Sequence, residues 1–173
     1  MSGACLRRAT TEDAQGMACL ELEAFKDVYG DPSSEVIDKV TYKMLDRTRR
    51  NSNFSNWVLI SPKNELLGMI STILVDGAAV RSSVIDEKDG GLDFTNNETF
   101  ADFAPKPNKK PAIYIVNLAT SDTAPGNSRL PLFGAAAYDG ISQGVDQGLF
   151  ESRLPGFEKW CIDRGVAPDR DEA

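Results

Sequence analysis

Ile113-Tyr-Ile-Val-Asn-Leu-Ala-Thr-Ser121 runs into the turn Asp122-Thr-Ala-Pro-Gly-Asn-Ser-Arg-Leu-Pro-Leu132 and then into an Ala-rich segment. The nearly unbroken apolar run from Ala112 to Ala119 reads as a strand covered on both faces, hence central in its sheet. Pro131 suits the first turn of a helix, where its missing N–H costs little. Leu132, Phe133, Ala136, Ala137 and Ile141 follow at helical spacing, and Gly144 fits the helix end. A buried strand that reaches a helix through a tight turn leaves backbone N–H groups beside a helix N-terminus. That arrangement holds anions such as a pyrophosphate.

Upstream, Cys5 to Thr10 reads as a short strand with Leu6 and Arg8 on one face. Thr10-Thr-Glu-Asp13 carries a helix-start signal, a hydroxyl followed by acids. The helix that follows places Ala14, Met17, Ala18, Leu22 and Phe25 on one stripe, with Glu21 and Glu23 off its centre. Ser33 or Ser34 caps a second helix whose apolar face is Val36, Ile37, Val40, Met44 and Leu45. Trp57–Ile60 and Leu66–Val75 form a hairpin across Pro62-Lys-Asn-Glu65. Within it, Gly68 marks a bulge or a close backbone approach. Residues 77–111 form a long polar insertion, where Phe94, Phe100 and Phe103 serve to dock the loop or cover a cleft. Leu149-Phe-Glu151 is a short strand, Pro155 to Arg164 a last helix, and 166–173 a frayed tail. The whole is one domain, 1–173, an α/β fold with helices on both faces of a mixed sheet.

Composition narrows the function. The 173 residues carry a net charge of −7, with a 41% apolar fraction. An acidic surface disfavours nucleic acid, because phosphate binding needs clustered Lys and Arg, and it suits a cationic amine ligand. No apolar run is long enough to span a bilayer, and the N-terminus lacks a secretory apolar core, so a cytoplasmic location without membrane contact is expected. Cys5, Cys19 and Cys161 show no paired spacing, so free thiols and no metal site are expected. The absence of histidine removes Ser-His and Cys-His mechanisms and leaves carboxylates, tyrosine, lysine or water for proton transfer.

Several segments, in order, resemble the GNAT superfamily of acyl-CoA N-acyltransferases. Leu6-Arg-Arg-Ala-Thr-Thr-Glu-Asp-Ala14 is similar to that family's opening strand and first-helix start. Asn64-Glu-Leu-Leu-Gly-Met-Ile70 is similar to its second hairpin, and Tyr114 to Ser121 to its fourth strand. Ser142-Gln-Gly-Val145 matches the end of the helix that follows. Glu151-Ser-Arg-Leu-Pro-Gly-Phe157 is similar to a subgroup that also has a long insertion before the fourth strand. The resemblance covers about residues 4–165 and implies a mostly antiparallel central sheet, acetyl-CoA as coenzyme and a small amine as acceptor.

Carried over residue by residue, the resemblance gives Asn117, Leu118 and Ala119 the coenzyme's thioester arm, the latter two through backbone atoms. The family's Q/R-x-x-G-x-G/A turn falls on Pro125, Gly126, Asn127, Ser128, Arg129 and Leu130. Three of its expected residue types are replaced, by Pro125, Ser128 and Leu130. Gly126 and Asn127 can still adopt positive φ, and Arg129 can supply charge to a phosphate. Glu21 and Glu23 are the candidate bases, and Tyr138 the candidate acid for the leaving thiolate. The transferase reading requires main-chain amides between 125 and 130 to be open to a diphosphate. The alternative is a non-catalytic binding or interaction module that kept the fold and lost the coenzyme. The family's terminal hairpin has no counterpart before residue 173, so a second copy of the chain is expected to cover an open sheet edge.

Overall fold

The computed structural model describes residues 3–26, 30–49, 53–80, 102–107, 109 and 111–145, and the backbone of 148–150. Strand β1 (Cys5–Arg8) leads through a short 3₁₀ turn into α1 (Ala14–Ala24) and then α2 (Ser34–Arg49). Strands β2 (Phe54–Ile60), β3 (Leu66–Val75) and β4 (Ala112–Thr120) follow, then α3 (Arg129–Ser142) and β5 (Gly148–Phe150). The sheet order is β1-β2-β3-β4-β5. The first four strands are antiparallel, and β5 joins β4 in parallel. The mixed, mostly antiparallel sheet read from the sequence is therefore present. The expected helix near Pro155 to Arg164, the frayed tail, and Phe94, Phe100 and Cys161 lie outside the described residues.

Local chemistry explains the boundaries. Asp13 accepts from the Thr10 amide at 2.7 Å and forms a two-pronged pair with Arg7 at 2.7 and 2.9 Å. The Arg7 guanidinium, more than the Thr10 contacts, holds the Asp13 carboxyl below the ordinary range. Of the two candidate caps for α2, Ser33 is the one used: its Oγ accepts from the Val36 amide. Gly144, at φ 71°, closes α3, with Val145 N–H donating to Gly140 O and Gly144 N–H to Ile141 O. This paired bonding needs a residue that tolerates the left-handed region.

Helices α1 and α2 cover one sheet face with Met17, Ala18, Leu22, Val40 and Met44 against Val58, Ile60, Met69 and Ala119. Helix α3 covers the other with Leu132 and Ala136 against Leu59, Leu67 and Ile70. Its inward arc also takes Ala135, Asp139 and Gly140. Ala137 and Ile141, expected on the apolar face, point outward instead, and Ile141 is 76% exposed.

Two bulges bend the sheet. Leu59 pairs Gly68 while Ile60 pairs Leu66, so Leu67 is extra on β3. Ser71 pairs Asn117 while Thr72 pairs Ile115, so Val116 is extra on β4. Gly68 meets both expectations for it, lying beside a bulge and at a tight approach. A Cβ there would stand 2.9 Å from Leu132 Cδ1 and 3.2 Å from Ala119 O. Gly68→Ala should therefore cost about 1–3 kcal/mol, read as a lower urea midpoint at constant slope.

The insertion is tied at its neck. Val75 pairs Ala112, and the Asp76 N–H donates to Phe103 O at 2.8 Å. The buried Asp76 carboxylate accepts from the Ala78 and Ala79 amides, and Lys106 and Lys109 each approach it at 3.4 Å. Burial pushes that carboxyl up, but the Ala79 amide and the two lysines outweigh it and hold the group below the ordinary range. Phe103 packs on Ile73, Val75 and Val80, so at this residue the loop docks on the core.

Candidate functional site

The described pairing of β4 with β5 covers only Ile113, Tyr114 and Ile115. From Val116 onward, among the described residues, β4 is paired on its β3 side alone. The bulge at Val116 follows directly on the described β5 pairing, and the next residue along is Asn117.

Asn117 is 6% exposed and sits on the α1/α2 face, two residues before Ala119. Register places it beside Ser71, and Ser71 beside Asn56, so three polar side chains cross β4, β3 and β2 in one row. The row separates two apolar clusters on the same face. One holds Val58, Met69 and Ala119, and the other Phe54, Ile73 and Tyr114.

Glu21, on α1, meets the row at Asn117. It is 9% exposed: four residues after Met17 and three after Ala18, it lies within the buried arc of α1 and not off its centre as the sequence suggested. Burial pushes its carboxyl above the ordinary value of 4.5, opposed by the charges of Arg47 and Lys43 and by the side chain of Asn117. Glu21 Oε2, Asn56 Oδ1, Ser71 Oγ and Asn117 Oδ1 are all buried without a hydrogen-bond partner. Native interiors rarely leave such atoms unpaired.

Asn56 and Ser71 were legible in principle, as inward-facing polar residues within apolar strands. Glu23, the other candidate base, is exposed. Tyr138 is 64% exposed on α3, across the sheet from Glu21, so the two are not brought together.

In the turn before α3, the Ser128 amide donates to Pro125 O and the Leu130 amide to Asn127 O. Among the described residues, the Gly126, Asn127 and Arg129 amides make no backbone bond of this kind. The Leu130 side chain is 46% exposed, and a Cβ placed on Gly126 would meet nothing within 4 Å. The turn is therefore not plugged. Ser128 Oγ is buried and unpartnered at the helix start. Three open amides, a helix N-terminus and Arg129 form a donor set that fits a phosphate group. A cavity of about 340 Å³ lies beside the turn, walled by Ser61, Lys63, Leu67, Thr123 and Pro125. It sits on the β2–β3 hairpin side and does not include Glu21.

Among the described residues no cluster of metal-ligating side chains occurs, and no helix is long and apolar enough to cross a membrane. Cys5 and Cys19 are free thiols.

No family model matches the sequence, and no curated protein matches it either. Solved structures do. A predicted acetyltransferase from Clostridium acetobutylicum, determined with acetyl-CoA, is 13% identical, with 98% of this chain and 93% of that one covered at a TM-score of 0.63. A GCN5-related N-acetyltransferase from Ralstonia eutropha is 13% identical over 99% and 97%, at 0.65. An integron cassette protein from V. cholerae is 14% identical over 100% and 91%, at 0.69. At these identities the likeness speaks for architecture: the chain has the fold of the GCN5-related N-acetyltransferases.

Proposed function

We propose that this chain is an acetyl-CoA-dependent N-acetyltransferase acting on a small amine by direct attack, with Glu21 as general base. The observation that carries this reading is a buried, raised carboxylate beside Asn117, directly after the bulge in β4. Strand β4 leads on to a turn in which, among the described residues, three amides make no backbone bond. The Gly126, Asn127 and Arg129 amides would hold the coenzyme's diphosphate, and the backbone of Leu118 and Ala119 its thioester arm. Bound acetyl-CoA would supply an activated acyl group.

The protein's own residues do the rest. Glu21 takes the proton from the acceptor's ammonium at Oε2, because an amine must be neutral to attack. Raising the carboxyl above 4.5 makes it a stronger acceptor of that proton. Asn117 favours the charged form of Glu21 and so stabilises it before proton transfer.

A second reading has its own support. The Ser128 and Leu130 amides are used inside the turn, and Leu130 stands where the family has a small residue. A non-catalytic module would look like this. Thermal shift or calorimetry with acetyl-CoA and CoA separates the two. A ligand at 100 times its Kd adds about 2.7 kcal/mol of stability. Leu130→Gly should preserve or improve the affinity. No shift at millimolar coenzyme would leave the binding-module reading standing alone.

A further inference from the structure

The buried row specifies more than a nitrogen. Thr48 Oγ1 donates to Met44 O at 2.8 Å, so toward Asn56 it can only accept. Asn56 must therefore present its NH₂ group, which it does at 3.2 Å, and its Oδ1 is fixed as the free acceptor. Asn117 favours the charged form of Glu21, which an amide does through its NH₂, so its Oδ1 is also left as an acceptor. With Glu21 Oε2, that makes three buried acceptors and one hydroxyl, Ser71 Oγ, and none of the four atoms has a partner. What satisfies them must carry N–H or O–H groups.

The length of the row is set by the sheet. Neighbouring strands lie about 4.8 Å apart, so Ser71 is about 5 Å and Asn56 about 10 Å from Asn117. Charge differs along the row: Glu21 is the carboxylate beside Asn117, while Arg47, one of the two cations that act on it, lies over the Phe54 ring on β2, two residues from Asn56. A positive group is favoured beside Glu21, and a second positive group at the Asn56 end meets Arg47.

We propose that the acceptor is a linear amino alcohol or amino amide. Its primary ammonium sits at Glu21 and Asn117, and a neutral hydrogen-bond donor about 5–10 Å further on pairs with Ser71 and Asn56. This rests on the reading of Glu21 as the acceptor-side base. Ser71 and Asn56 are then specificity-determining residues. A buried polar group left without its partner discriminates strongly against an analogue that lacks the matching hydroxyl.

The test compares 5-amino-1-pentanol, n-pentylamine and 1,5-diaminopentane by calorimetry, with and without CoA, and by acetylation rate with acetyl-CoA. The amino alcohol is expected to exceed both others by about ten- to a hundredfold in affinity and in kcat/KM. In Ser71→Ala, and separately in Asn56→Leu, that preference should collapse to within about threefold. Equal handling of the three amines by the unaltered protein would overturn the proposal, and so would a preference for the diamine. A preference that survives both substitutions, or no amine binding in any condition, would do the same. Selective binding of the amino alcohol without acetyl-CoA binding would sink the transferase reading and leave the row's specificity standing.

Discussion

Replacing Asp139 by alanine should lower stability by about 3 kcal/mol, the low end for breaking a buried charged pair. Asp139 is fully buried on α3, yet both its oxygens are bonded. Arg8 and Ser55 donate to it, and Trp57 Nε1 does so at 2.7 Å. Arg8 also donates to Ser55 Oγ and stacks over the Trp57 ring at 4.4 Å. The network ties α3 to β1 and β2. Alanine would leave an indole N–H and a buried hydroxyl without their acceptor. The half-exposed Arg8 can recover some hydration, which keeps the loss from the upper end of the range. At about 2–4 °C per kcal/mol for a chain of this size, the melting temperature should fall by about 6–12 °C. Urea unfolding with an unchanged slope would verify it, and a shift under 2 °C would show that α3 is held by its apolar contacts alone.

Glu21→Gln should act in opposite directions on stability and on activity. The folded carboxyl titrates above its ordinary 4.5, so the folded state keeps a proton that the unfolded chain releases. Glu21's contribution to stability therefore falls as pH rises from 4.5 through the raised folded value, then levels off. Glutamine cannot ionise and escapes that loss. The variant should be the more stable protein at pH 7, with the difference vanishing below pH 4.5. Acetylation should fall by about 10²–10⁴-fold, the usual contribution of a general base, with acetyl-CoA binding unchanged. Chemical denaturation at several pH values, beside steady-state rates, reads both. A variant destabilised at pH 7 would recast Glu21 as the structural partner of Arg47 and Lys43. Undiminished turnover would move the base elsewhere.

The fold was legible where a signal is local. The apolar run of β4, the Ser33 cap, Gly68, Pro131 and Gly144 all announce themselves within a few residues of chain, and each sits where its chemistry requires. The site was less legible because its members meet through sheet register. Glu21 lies in the buried arc of α1, but it takes the packing of that helix on β4 to bring Asn117 to it. Asn56 gains meaning only from pairing with Ser71 across the hairpin. Asp139 was the available clue that went unread. It is the lone acid in an otherwise apolar helical stretch, and a single charge in such company is often there to be buried against a partner. Ile141 misled for the converse reason: apolar character at helical spacing does not reveal which arc of a nearly uniform helix faces inward.

The neck of the insertion has a consequence for how the scaffold can change. Because Val75 faces Ala112 and Asp76 fastens Phe103, Lys106 and Lys109 at one place, the strands meet whatever lies between them. Doubling the length of such an excursion costs only about 0.6 kcal/mol in chain entropy. This position is a natural splice point, where foreign sequence, an epitope or a fluorescent reporter can be carried at little expense to the sheet.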